Sequence, residues 1–165
     1  MVPDVAVLDS ALMATTPARI SSIVLRVLLG WMFLAAGWSK VGQTMPTLVS
    51  IYSYQIVIPD GVAEFIAMVL PWVELLLAVL LFAGLFFPWT LIATGLVLGA
   101  FTVLTAQAWW RGLDIDCGCF DFSAIHPMLA VLATPGGATV RNLFLLGLVA
   151  LLAWLWRVTQ RQSAA

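Results

Sequence analysis

The chain's only two cysteines sit one glycine apart, in Asp116-Cys117-Gly118-Cys119-Phe120-Asp121. Paired thiols at this spacing are suited to redox exchange. In an oxidising compartment they form or exchange disulfides. The bridge is geometrically tight, because disulfide Cα atoms lie about 4.4–6.8 Å apart and an extended i to i+2 pair exceeds that. Gly118 frees the backbone to fold into the turn that brings the thiols together. A ring this small is strained, and a strained disulfide is labile. Two further readings stay open: a structural clip or a pair of free thiols, and a metal site. Two thiolates are an incomplete zinc shell, which His126 with Asp116 or Asp121 could complete only if the loop folds back. Asp114, Asp116 and Asp121 would raise the thiol pKa values; Arg111, Arg141 and His126 would lower them. His126, the sole histidine, is also a candidate proton carrier for thiol exchange, beside its plainer reading as a solvated loop residue.

A second set of chemistry-bearing residues lies within apolar sequence. Glu74 falls in Pro71-Trp72-Val73-Glu74, roughly 18 Å along a helix counted from Val62. A lone carboxylate in a membrane is costly and should be paired or protonated. Arg26 lies about 21 Å from Lys40 on the preceding helix. The matched depths predict an Arg26–Glu74 pair, with Lys40 left to reach Glu64. Such a pair reads as glue between helices, or as a proton relay or polar seat for a quinone ring. A quinone is the one cofactor that these residues suggest. Gly30 and Gly37 share a helix face and allow close helix packing.

The elements that carry these residues are membrane spans. The chain has 165 residues, 63% hydrophobic and 9% charged, with mean hydropathy +1.09. Soluble domains are about a quarter charged. The expected fold is therefore all-α: an integral membrane four-helix bundle with an extracytoplasmic Cys-Gly-Cys loop. Apolar runs of about 20 residues place spans at Ser21–Val41, Val62–Phe86, Trp89–Trp110 and Val140–Trp156. Gly84 and Pro88 mark a tight turn between the second and third. Residues 42–61 and 111–139 are the connecting loops, and 125–133 is too short to span and reads as an interfacial or re-entrant piece. The domain reading is an N-terminal tail at 1–18, the bundle at 19–158 and a C-terminal tail at 159–165. Asp4 and Asp9, with no basic segment before an early apolar core, argue against a cleavable signal, so the first span is its own insertion signal. Net charge of −1 offers nothing to nucleic acid, and membrane lipid is the expected surrounding.

Orientation follows from Arg19 and Arg26 before the first span, and from Arg157 and Arg161 after the last. An even number of spans puts both termini in the cytoplasm and the cysteines outside. Lys40, Arg111 and Arg141 count against this. Trp72, Trp89, Trp109, Trp110, Trp154 and Trp156 mostly fall near span ends and read as interfacial anchors.

The ordered set Arg26-Val27-Leu28-Leu29-Gly30, Ala36-Gly37-Trp38-Ser39-Lys40, Pro71-Trp72-Val73-Glu74-Leu75, Asp116-Cys117-Gly118-Cys119-Phe120 and Arg141-Asn142 resembles the MauE branch of the DoxX-like membrane proteins. It covers about Arg19 to Arg157. Family members typically place Gly after that Phe, whereas Asp121 stands here. The resemblance implies a four-helix inner-membrane protein of a bacterial cell, tied to periplasmic redox and to maturation of the disulfide-rich small subunit of methylamine dehydrogenase. It makes Cys117 and Cys119 the candidate catalytic pair and a periplasmic thiol or disulfide protein the expected partner. One pair allows no internal relay between two disulfides, so electrons would pass directly to a quinone or to that partner. The competing class is a non-enzymatic assembly factor or anchor subunit whose disulfide is a structural clip.

Overall fold

The computed structural model describes the backbone of residues 5–113, 115 and 134–163, and, of these, the side chains of residues 20–158 and of Gln160. The Cys117–Cys119 pair, Asp114, Asp116, Asp121, His126 and the expected interfacial piece at 125–133 lie outside the described residues. Five helices are described: α1 (Val5–Lys40), α2 (Thr44–Ser53), α3 (Asp60–Ala83), α4 (Phe87–Trp110) and α5 (Pro135–Ser163). Among the described residues, four segments are long and apolar enough to cross a membrane: Ile20–Lys40, Asp60–Ala83, Phe87–Trp110 and Pro135–Val158. At 1.5 Å per residue each matches a hydrocarbon core about 30 Å thick. All four agree with the spans read from the sequence, though the last begins five residues earlier, at Pro135.

One expectation changes, and one segment gains detail. The backbone of residues 5–18, ahead of the first span, is helical and continuous with the rest of α1. The loop expected at 42–61 contains α2, a ten-residue helix whose Thr47 is buried.

Turn chemistry ends the helices where the sequence says it should. Gly84 caps α3 with φ 67°, donating its N–H to Leu80 O. That left-handed conformation is nearly free for glycine. Pro88 then sits in the first turn of α4, where its missing N–H costs no helical bond.

The helices pack in a defined cyclic order. α1 lies chiefly on α3 and α4 chiefly on α5, with α1 also touching α5, whereas α3 and α4 meet only lightly. The core is Leu29 and Phe33 of α1, Leu77, Ala78 and Leu81 of α3, Leu91 and Leu98 of α4, and Leu145, Val149 and Leu152 of α5. α4 turns a threonine stripe inward (Thr90, Thr94, Thr102 and Thr105, all buried). Thr139 of α5 donates its hydroxyl to Thr105 at 3.0 Å, a polar link of the kind that joins helices in lipid.

The α1–α3 register is fixed by two glycines on one face of α1, as their spacing suggested. A Cβ at Gly37 would stand 2.9 Å from Pro71 O and 3.1 Å from Glu74 Cβ. One at Gly30 would stand 2.9 Å from the Phe82 ring. Gly37 therefore lies level with Pro71 and Glu74, well inside α3. The first turns of α3 run on past the end of α1, beside α2.

Candidate functional site: a buried ion pair between two cavities

This register decides which charges meet. Lys40, in the last turn of α1, sits one turn beyond Gly37 and faces Glu74. Its Nζ donates to Glu74 Oε1 at 3.0 Å and Oε2 at 2.9 Å. Both residues are buried, Lys40 at 6% and Glu74 at 2% exposure. The ammonium also donates to Ala36 O at 3.1 Å and lies 5.9 Å from the centroid of the Phe101 ring, within cation–π range.

The expected Arg26–Glu74 pair is thus corrected, and so is the expected reach of Lys40 to Glu64. The depth comparison set Lys40 level with Val62. The structure sets it level with Glu74, because α2 occupies the space beyond the end of α1. Arg26 lies at the other end of α3. Its Nε donates to Leu81 O at 3.0 Å and its Nη2 to Phe82 O at 3.2 Å. Its guanidinium stands 5.4 Å from the Phe87 ring centroid. It caps the carbonyl end of α3, where a cation is favoured by the helix dipole.

A cavity borders each side of the ion pair. The larger, about 250 Å³, lies at the loose seam between α3 and α4 beneath α2. Its walls include Ile51, Ile58, Ile66, Leu70, Val97 and Leu104, and Lys40 and Phe101 also line it. The smaller, about 40 Å³, is bounded by Glu74 and Phe101 and by Arg141 and Asn142 of α5. It has room for a water, with polar groups around it to hold one. Asn142 is 3% exposed, and its Nδ2 has no hydrogen-bond partner among the described residues.

Arg141, half-buried in the second turn of α5, thus shares the lining of the smaller cavity with Glu74. Arg111 ties α4 to the end of α2: its Nη2 donates to Gln55 Oε1 at 3.0 Å and its Nη1 to Gln55 O at 3.3 Å. Of the sequence candidates, then, Lys40, Glu74 and Arg141 come together and Arg26 does not. Phe101 was missed, since one phenylalanine in an apolar span carries no signal of its own. The tryptophans Trp72, Trp89, Trp109, Trp110 and Trp154 are exposed on the bundle surface; Trp156 instead packs on Phe87 at 5.9 Å, and Trp72 lies mid-helix.

Fold and site together define a multi-pass membrane protein: a helical bundle with a charged pair sealed in its interior. The family model of methylamine utilisation protein MauE matches residues 18–155, and the chain belongs to that family. No curated protein and no solved structure matches the chain.

Proposed function

We propose that this chain is a thiol–disulfide redox protein of the bacterial inner membrane, with both termini cytoplasmic. It assists disulfide formation or maturation in a periplasmic partner of the methylamine dehydrogenase small-subunit type. The observation that carries this reading is the cysteine arrangement in a MauE family member: two thiols, one glycine apart, in the segment joining α4 to α5. A partner thiolate attacks one sulfur of the Cys117–Cys119 disulfide and forms a mixed disulfide. The partner's second thiol then releases the pair as a dithiol, so the partner is oxidised by two electrons and the pair reduced by two. Return of the pair to the disulfide needs a two-electron, two-proton acceptor. A quinone, converted to its hydroquinone, meets that need.

Trapping tests this directly. Cys119→Ala and Cys117→Ala are each expressed with the methylamine dehydrogenase small subunit and analysed without reductant. In the reverse exchange, the remaining thiolate of one variant should attack a disulfide of the subunit and accumulate as a mixed disulfide that dithiothreitol reduces. If neither does, and Cys117→Ser/Cys119→Ser still supports full maturation, the chain acts as an assembly factor and the redox reading fails.

A further inference from the structure

The chamber at the α3–α4 seam is the feature that the thiol chemistry leaves unused. Its volume is about 250 Å³. A dry cavity of about 150 Å³ lined by Leu, Ile and Phe holds benzene, so this one has room for a ring bearing several substituents. Ile66 and Leu70 of α3 face Val97 and Leu104 of α4 across it. Apolar walls in a gap between two spans admit a molecule from the bilayer and reject a water-soluble one.

The inner wall is different. There Lys40 holds Glu74. Burying two charges costs several kcal/mol each before their attraction repays it, and an apolar pair of similar volume is often as stable. Stability alone therefore does not account for the pair. An ionisable residue inside a span marks a functional site by default, and this one lines a cavity.

Lys40 also has a hydrogen to give. Glu74 takes the ammonium through its two oxygens. The remaining contact is to Ala36 O at 3.1 Å, a carbonyl that the Ser39 hydroxyl already occupies at 2.9 Å. That third hydrogen moves to a ligand oxygen at little cost. A ligand suited to this wall has an apolar body, a ring sized to the chamber and a carbonyl oxygen at one end.

We propose that the chamber binds the head group of a lipid-soluble quinone, with Lys40 Nζ donating to a ring carbonyl. This deepens the reading above by giving the electron acceptor a place, while the binding itself rests on the chamber and the ion pair alone.

The test uses radiolabelled decylubiquinone, titrated onto the full chain in phosphatidylcholine nanodiscs, with empty nanodiscs as the blank. Saturable binding above the blank is expected. Ala100→Trp, which fills the chamber from its exposed lining residue, should weaken binding by about tenfold or more. Lys40→Met/Glu74→Leu removes both partners of the ion pair together; it should weaken binding to a similar degree while the protein stays monodisperse. Cys117→Ser/Cys119→Ser should bind like wild type, which separates this proposal from the thiol reading. Absence of saturable binding overturns the proposal. Loss in Ala100→Trp with none in the charge-free variant also overturns it, and assigns the chamber to a hydrocarbon chain.

Discussion

At the scale of single residues, the Lys40–Glu74 pair is the most sensitive point in the described bundle. Each charge is buried, and the two are paired at 2.9 Å. Lys40→Met or Glu74→Leu alone leaves an uncompensated charge in the interior, a change that costs about 3–5 kcal/mol. Lys40→Met/Glu74→Leu should recover most of that loss. Thermal unfolding of the two single variants and the double variant in one detergent checks this. Equal losses in singles and double would show that the pair does not couple. Arg26 is a different kind of charge. It caps carbonyls at the end of α3 and touches no carboxylate among the described residues, so neutralising Glu74 should leave the Arg26 contacts as they are.

At the scale of elements, the two glycines of α1 separate by what faces them. Gly37 meets the backbone oxygen of Pro71, 2.9 Å from where a Cβ would stand, and a carbonyl on a helix axis cannot turn aside. Gly37→Val should push α1 off α3 and cost about 1–3 kcal/mol, as overpacking does. At Gly30 the nearest atoms are those of the Phe82 ring, a side chain near the helix end that can tilt, so Gly30→Ala should cost clearly less. Melting temperatures of the two variants, ranked, settle the order. α2 is held differently. The Tyr52 hydroxyl donates to Asp60 Oδ1 at 2.9 Å, joining α2 to the first turn of α3. That hydrogen bond to a carboxylate raises the Tyr52 pKa above its ordinary 10.0. A raised tyrosine favours the neutral form in the fold. The clamp is therefore fully present below pH 10.0 and is lost as pH rises through the raised value. Absorbance titration of wild type against Tyr52→Phe should show one tyrosine ionising late, and hydrogen exchange across α2 should quicken only above that point.

At the scale of the whole molecule, the cyclic order of helices leaves one loose seam. α3 and α4 follow each other through a three-residue turn, Gly84 to Phe86, yet each packs mainly on another helix. The gap between them becomes the chamber, and α2 lies over its end. The orientation proposed from Arg19, Arg26, Arg157 and Arg161 has a direct consequence. A membrane-impermeant thiol reagent added to reduced, intact cells should label Cys117 and Cys119. Labelling that appears only after lysis would invert the topology.

The sequence by itself determined the class and the spans. Runs of about 20 apolar residues can satisfy their backbone in lipid only as helices, so four segments were legible without any tertiary contact. Gly84 and Pro88 marked the turn for the same local reason, and the cysteine motif with its surrounding residues was enough to indicate the family. What the sequence could not determine was register. Counting residues from the two span ends gave Arg26 to Glu74, because it assumed that α1 and α3 end at one level. α2 was hidden in a segment read as loop, since ten residues carry too little periodicity to stand out. Only the tertiary structure showed that Gly37 docks on Pro71 and Glu74, that Lys40 therefore reaches Glu74, and that Arg141 and Asn142 line a small cavity with that residue. Span existence depends on local hydrophobicity. Pairing depends on where two helices touch, and that is set by steric contact between residues far apart in the chain.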